Sequence, residues 1–264
     1  MKFSMMTYTL MRQGCFTPED CVRVAAELKM EGIDWITTYG RDPKELRKMS
    51  VDAGLAVAAH TFFLRGDDFK DFNYKAVAQK SMDDACMLGA PVIMIVPVPF
   101  ADVTDPAENR KRWVEILGNV APFAEERNLA MTVENFPGLY SAFVTADDFY
   151  EAKKQVPSLK LTFDNGNAAS GEDQIASLKR CFADIVHVHF KDWDIIEQPE
   201  EGWRPMRDGR YYRAALIGEG KIDSRATLET LEELGYDGFI NIEYENNKYP
   251  GDEAVKKALE YLRK

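Results

Sequence analysis

The stretch LAMTVENFPGLYSAFVTADDFYEAKKQVPSLKLTFD, residues 129–164, contains one complete strand–helix–strand unit. Residues 129–134 and 160–164 are short runs of apolar and β-branched side chains, and the segment between them has helical character from about 145 to 155. Thr145 stands just before two acids, an arrangement typical of a helix N-terminus. Two strands joined through a helix are expected to lie parallel in one sheet.

The same alternation continues through all 264 residues. The predicted strands are 3–7, 32–37, 55–59, 91–97, 129–134, 160–164, 184–190 and 238–243. The predicted helices are about 18–30, 42–53, 73–89, 107–127, 145–155, 172–182, 223–235 and 252–263. Eight such units in a chain of this length indicate an α/β protein with one domain, 1–264, folded as a (β/α)8 TIM barrel. An open doubly wound sheet is the alternative, but no GxGxxG motif follows the first strand.

The composition limits the partners and the compartment. Lys and Arg total 33 and Asp and Glu total 44, so the formal net charge is −11. This charge argues against nucleic acid or an anionic membrane as the main partner, because both attract basic surfaces. The four cysteines form no CxxC pair, and the longest apolar run, 91–100, is shorter than the roughly 20 residues of a membrane span. We therefore expect a reduced, cytoplasmic protein.

The connection from Asp192 to Ile217 has no convincing helix or strand pattern over its 26 residues. Loops of this length are usually functional or disordered. Its aromatic and basic side chains suit sugar faces and acidic groups, so we expect a lid over the active site, with a surface excursion or an oligomer contact as the alternative. The turn at 218–220 that follows has two interpretations: its backbone amides bind a phosphate, or it is a tight structural turn.

Four residues of ligand type end four consecutive predicted strands: Glu134, Asp164, His189 and Glu243. Strand alternation places each of them on the face that points into the barrel. Three carboxylates crowded together would repel one another, and a divalent cation removes that repulsion. The oxygen-rich set favours Mn²⁺, with Mg²⁺, Co²⁺ or Zn²⁺ as alternatives. Each residue alone has a structural explanation, such as a helix cap or a core histidine, but the four together predict one metal site.

The motifs TVEN (132–135), FDNGN (163–167), HVHFKD (187–192) and the segment 218–245 resemble the sugar phosphate isomerase/epimerase family of xylose-isomerase-like TIM barrels. The resemblance covers essentially the whole chain and is strongest from Glu134 to Glu245. It implies that Glu134, Asp164, His189 and Glu243 bind one divalent metal. It also implies that the two glutamates act as acid and base on opposite sides of the substrate carbon.

Five further residues are candidate substrate contacts: His60, Asn167, His187, Lys191 and Arg213. His60 stands directly after the predicted third strand, 55–59, on the rim of the predicted site. His187 lies one inward step before the metal-binding histidine, and Lys191 follows the seventh strand. In epimerases for free ketoses the position of Asn167 is often a histidine, so this chain departs from the family there. For His60 and His187, burial in the core or support of a metal ligand is the competing interpretation.

The predicted activity is that of a sugar isomerase or epimerase, acting by proton transfer at a carbon next to a carbonyl of a ketose, inosose or related keto-sugar. The alternative is a lyase or dehydratase that uses the same metal site on a keto-sugar or keto-glycoside. A non-catalytic sugar-binding subunit and an endonuclease for damaged DNA rank lower. The endonuclease would need more histidines than the three present and a less acidic chain. The expected partner is a small-molecule sugar. Barrels of this class are often homo-oligomers, by analogy only.

Overall fold

Eight parallel strands close into a barrel in the structure, a computed structural model that describes residues 1–70 and 72–264. In chain order the strands are β1 (Lys2–Met6), β2 (Gly32–Ile36), β3 (Ala56–Phe63), β4 (Val92–Val96), β5 (Ala130–Glu134), β6 (Lys160–Asp164), β7 (Ile185–Phe190), β8 (Asp192–Ile196), β9 (Arg204–Pro205), β10 (Tyr211–Ala215) and β11 (Phe239–Ile242). The barrel order is β1-β11-β7-β6-β5-β4-β3-β2. The barrel closes where β1 pairs with β11, from Lys2 opposite Phe239 to Met5 opposite Ile242. The predicted (β/α)8 barrel is confirmed.

Helices follow the barrel strands along the chain. They are α1 (Tyr8–Met11), α2 (Pro18–Glu27), α3 (Pro43–Asp52), α4 (Asn73–Leu88), α5 (Pro106–Glu126), α6 (Ala146–Lys153), α7 (Asn165–Ala168), α8 (Gln174–Cys181), α9 (Ser224–Glu233) and α10 (Gly251–Leu262). The cap at Thr145 forms as predicted, because its side chain accepts the amide of Asp148 while that acid binds back to the cap. Within the described residues, none of the helices is long and apolar enough to cross a membrane.

Strand alternation separates two environments inside the molecule. The outward set is apolar and packs under the helices; Trp35, for example, is fully buried and donates from its indole nitrogen to Ser50 Oγ of α3 at 3.1 Å. The inward set contains most of the polar side chains of the strands, and Thr132 and Thr162 of neighbouring strands share a hydrogen bond of 2.8 Å inside the barrel. The carboxyl ends of the strands therefore surround a polar interior that opens at one rim.

The segment after β7 differs from the prediction of an irregular loop. It forms a three-stranded antiparallel sheet in the order β8-β10-β9, with a small core of Trp193, Met206, Tyr212 and Ile222. Local patterning did not reveal these strands because β9 has only two residues and the pairing is set by the register between β8 and β10.

The turn at 218–220 is held by Asp192, the first residue of β8. The Asp192 carboxylate accepts the backbone amides of Gly218 at 2.9 Å, Gly220 at 3.0 Å and Ile222 at 2.9 Å. A Cβ on Gly220 would collide with that carboxylate. These amides already have an acceptor and are not free to bind a phosphate. The structure therefore supports a tight structural turn at 218–220.

Candidate active site

The four predicted ligand residues meet at the carboxyl ends of β5, β6, β7 and β11. One ligand atom from each of Glu134, Asp164, His189 and Glu243 lies within 4.8 Å of the others. His189 Nδ1 is 3.6 Å from Glu134 Oε2 and 3.8 Å from Glu243 Oε2. All four residues are 5% exposed or less. The barrel thus concentrates three carboxylates and one imidazole in a space shielded from water.

Several atoms of this cluster lack the hydrogen bonds that buried polar atoms normally make. Asp164 Oδ2, His189 Nδ1 and Glu243 Oε2 have no hydrogen-bond partner in the described part of the chain. Asp164 Oδ1, in contrast, accepts the backbone amide of Asn167 at 2.7 Å, which fixes the carboxylate. Unpaired buried polar atoms are costly, and these converge on one point. The donor set therefore fits a divalent cation bound by oxygen and imidazole ligands.

The pKa values of the cluster are shifted because several charged groups are buried close together. Burial raises the pKa of Asp164 to about 7, against the attraction of Lys191. Burial raises the pKa of Glu243 to about 8, again opposed by Lys191. Lys191 Nζ lies 2.9 Å from Glu243 Oε1, 3.4 Å from Glu245 Oε2 and 4.0 Å from Asp164 Oδ2. Burial alone would lower the pKa of Lys191, but these carboxylates hold it well above its ordinary value.

Asp34 of β2 supports the cluster from deeper in the barrel. Its Oδ2 lies 3.5 Å from His187 Nε2 and 3.7 Å from His189 Nε2, and it accepts from Asn241 Nδ2 at 2.7 Å. The Asn241 amide nitrogen is also 3.1 Å from His189 Nε2. The Asp34 carboxylate on the Nε2 side of His189 is the kind of acceptor to which a metal-binding histidine donates its second N–H, and the Nδ1 side, which faces Glu134 and Glu243, is the one left for an ion.

The histidines and Asp34 influence each other's protonation. Burial would lower the pKa of His189, but hydrogen bonds to Asp34 and Glu134 and the nearby carboxylates raise it to about 10. Burial would raise the pKa of Asp34, but His187 and His189 hold it well below its ordinary value. Burial lowers the pKa of His187. Metal binding through His189 Nδ1 must displace a proton from that ring.

A cavity of about 200 Å³ opens above the cluster. Glu134 and Glu243 line it together with Lys191, Arg204 and Glu245. Its apolar wall consists of Met6, Ile36, Phe63, Met94, Val96, Phe136 and Pro137. A polar floor beneath an apolar wall suits a compact polyhydroxylated ring whose reacting end faces the cluster.

The structure separates the five predicted substrate contacts. Lys191 lines the cavity, and His187 lies beneath it beside Asp34. Asn167 is fully buried, and its backbone amide binds the Asp164 carboxylate while its side chain does not reach the cavity wall.

The predicted placement of His60 is wrong. β3 continues to Phe63, and Thr61 and Phe63 line the cavity, so alternation turns His60 toward the helices. There its Nδ1 lies 2.8 Å from the backbone oxygen of Trp35, and burial lowers the pKa of the ring.

The predicted placement of Arg213 in the site is also wrong. Arg213 pairs directly across the sheet with Asp194, is 51% exposed, and stacks on Trp203 with 4.4 Å between the guanidinium carbon and the ring centre. Arg204 of β9 reaches the cavity instead. Both arginines belong to the same excursion, the segment 192–217 that forms the three-stranded sheet after β7. Only the antiparallel register of its strands shows which arginine faces the site.

Two residues of the candidate site, Asp34 and Glu245, escaped the sequence prediction, and Arg204 was predicted only as one of several basic residues in the connection 192–217. Asp34 carried a usable signal, since it is a lone acid in the middle of the buried strand GIDWI. Glu245 follows Glu243 by two residues, a spacing that repeats the same face of an extended chain. No local sequence pattern set Arg204 apart from the other arginines of that connection.

The fold and the cluster define a class of protein: a (β/α)8 barrel with three carboxylates and one histidine gathered at the carboxyl ends of its strands. Residues 22–264 match the family model described as xylose isomerase-like TIM barrel, and the chain belongs to that family as one of its enzymes. This agrees with the resemblance seen in the sequence motifs.

The individual proteins that match this chain have low sequence identity to it. The chain is 26% identical over 271 residues to an inosose dehydratase of Geobacillus thermodenitrificans (strain NG80-2), covering 95% of this chain and 88% of that protein. The crystal structure of the IOLI protein with a bound zinc atom superposes with a TM-score of 0.79 at 18% identity, covering 99% of this chain and 98% of that one. The apo crystal structure of the 3-keto-D-glucoside 4-epimerase of E. coli superposes with a TM-score of 0.77 at 17% identity, covering 100% of this chain and 99% of that one. The two superpositions establish similarity of fold alone.

Proposed function

We propose that this protein is a divalent-metal-dependent enzyme that removes a proton next to the carbonyl of a keto-sugar or inosose. The observation that carries the proposal is the convergence of unpaired ligand atoms from Asp164, His189 and Glu243, with Glu134 beside them, under a cavity the size of one sugar ring. A neutral small-molecule sugar suits this cavity. Its three carboxylates and that of Asp164 in the cluster beneath are matched in charge by Lys191, Arg204 and one dication.

Glu134, Asp164, His189 and Glu243 would hold the ion. When bound, a divalent ion supplies Lewis-acid polarisation of a carbonyl oxygen, which acidifies the neighbouring C–H bond. Glu134 and Glu243 reach the cavity wall from β5 and from the end of β11, so one can take a proton from the ring carbon while the other delivers one. The Lys191 ammonium, 2.9 Å from Glu243 Oε1, offsets the negative charge that accumulates there.

The outcome we favour is elimination of water, the reaction of a dehydratase. The curated relative that aligns over 95% of this chain is an inosose dehydratase, and others of that name align over most of the chain. This reverses the order of the sequence prediction, in which the isomerase or epimerase came first. Elimination and epimerisation share the same first step, removal of the proton next to the carbonyl by one glutamate. In elimination the other glutamate then protonates the hydroxyl that leaves as water from the adjacent carbon, whereas in epimerisation it protonates the opposite face of the reacting carbon.

Epimerisation or isomerisation is the second candidate. It is supported by the presence of carboxylates on both sides of the cavity, which allows a proton to be removed from one face of a carbon and returned to the other. For the ion we propose Mn²⁺ first, since three of the four ligands are carboxylates, and Zn²⁺ next.

The test is incubation of the Mn²⁺-loaded protein with 2-keto-myo-inositol and with a panel of ketoses in D₂O, read by NMR and mass spectrometry. Loss of one water from the substrate identifies the dehydratase, and a product that retains all of the substrate's oxygens, with deuterium at the reacting carbon, identifies the epimerase or isomerase. Turnover that leaves the original proton on the carbon next to the carbonyl would refute the proposed chemistry. A stoichiometric ion with no turnover on any substrate would favour a sugar-binding protein instead.

A further inference from the structure

A second, larger cavity adjoins the metal cavity. It is an open groove of about 1210 Å³ between the segment that follows β3, the segment that follows β4, and helix α5. Phe63, the last residue of β3, lines both the groove and the metal cavity, so the two spaces meet at this side chain. The metal cavity, about 200 Å³, accommodates one sugar ring and little more. A substrate with a second part would extend past Phe63 into the groove.

The walls of the groove are aromatic and partly exposed. Phe69 packs against Phe100 with ring centres 5.0 Å apart and meets Trp113 edge-on at 5.8 Å. Phe63 and Val98 are 36% and 41% exposed, which is high for apolar side chains beside an active site. Phe63, Phe69 and Phe100 line this concave surface, whereas Trp113 is buried behind them. Partly exposed aromatic and aliphatic side chains in a concave surface are typical of sites for flat apolar or sugar-like ligands.

The charges around the groove are balanced. Its lining contains three basic residues (Arg65, Lys70 and Arg112) and three acidic ones (Asp67, Asp102 and Glu115). Arg112 binds both carboxylate oxygens of Asp102 at 3.1 Å and lies over the Phe100 ring at 5.4 Å. Lys70 pairs with Asp67 at 3.5 Å. With these charges neutralising one another, the groove favours an uncharged occupant over a phosphate or a carboxylate.

We propose that the groove binds the aglycone of a keto-glycoside, an uncharged aromatic group attached to the sugar ring that the metal cavity holds. The inference rests on the proposed function for the sugar ring and adds the substrate class to it. The continuity through Phe63, the small volume above the ligand cluster and the balanced charge all point to an aromatic extension of the substrate.

The test compares methyl and phenyl 3-keto-β-D-glucopyranoside, which differ only in the aglycone, with the Mn²⁺-loaded full chain. Dissociation constants are measured by calorimetry and turnover by NMR. We expect the phenyl glycoside to bind about tenfold more tightly, the effect of removing about 60 Å² of apolar surface from water. In Ala101→Trp, which fills the groove, and Val98→Asp, which places a charge in it, the ratio of the two constants should fall to about threefold or less.

Leu139→Ala is the matched control, because Leu139 is a rim residue, 39% exposed, outside the groove, and the ratio should stay as in the wild type. Equal binding of the two glycosides by the wild type would overturn the proposal, as would a preference that survives both groove variants. A self-association that Val98→Asp abolishes, without an aglycone preference, would assign the groove to a second copy of the chain and also overturn it. Tight phenyl binding without turnover would sustain the aglycone site while contradicting the proposed reaction, so the two failures are distinguishable.

Discussion

Binding of the divalent ion should depend steeply on pH. In the metal-free cluster the pKa of Asp164 is raised to about 7, that of Glu243 to about 8 and that of His189 to about 10. The metal-free protein therefore holds about three protons on these groups near pH 6 and between about one and two near pH 8. Each must leave for its side chain to become a ligand, so affinity rises with pH. Averaging about two protons over this interval, the apparent dissociation constant for Mn²⁺ falls about a hundredfold per pH unit.

The assay is competition with a fluorescent chelator of known proton dependence across about pH 6 to pH 8, with calorimetry in two buffers of different ionisation enthalpy to count released protons. His60→Gln is the matched control: it removes an equally buried imidazole that lies outside the cluster, and it should leave the slope unchanged. A dissociation constant that changes less than about threefold per pH unit would refute the assignment of these protonated groups as ligands.

Three further outcomes are expected. Glu134→Gln and Glu243→Gln, assayed at saturating Mn²⁺, should each lower kcat by about a hundredfold or more, because each removes a carboxylate beside the site of proton transfer. Glu219→Gln, at the protein surface, is the control and should leave kcat unchanged. Full activity in either of the first two variants would exclude that glutamate from proton transfer. Asp192→Ala leaves buried backbone amides without an acceptor and should lower the free energy of unfolding in urea by about 2–4 kcal/mol; an unchanged midpoint would contradict this. His60→Gln should keep kcat and KM within about threefold of the wild type, and a larger loss would return His60 to the site.

Most of the barrel could be predicted because its signals are local. Each barrel strand is a short apolar run and several helices begin with a side-chain cap, as at Thr17 and Thr145, so the count of eight units needs no knowledge of tertiary contacts. The excursion between β7 and α9 could not be predicted in the same way. Its strands are stabilised by pairing with one another and by the buried Asp192, and neither leaves a periodic pattern in the sequence.

The residues of the candidate site likewise fall into those that the sequence predicts and those that it does not. Glu134, Asp164 and Glu243 stand at or next to strand ends, where chain position alone predicts that side chains converge. His60 was misplaced because β3 runs on to Phe63, and the residues of this strand that face the cavity are Thr61 and Phe63, whose positions alternate with that of His60. Which arginine of the excursion faces the cavity depends on antiparallel register, which composition does not encode.

The central claim is that four side chains hold one divalent ion, and metal content tests it most directly. The wild-type chain, expressed with Mn²⁺ and purified without chelator, should contain about one divalent ion per chain by elemental analysis. The double variant Glu134→Ala/Asp164→Ala, with its fold checked by circular dichroism, should contain almost none. A double variant that retains a full equivalent of metal would contradict the site, and with it the proposed chemistry.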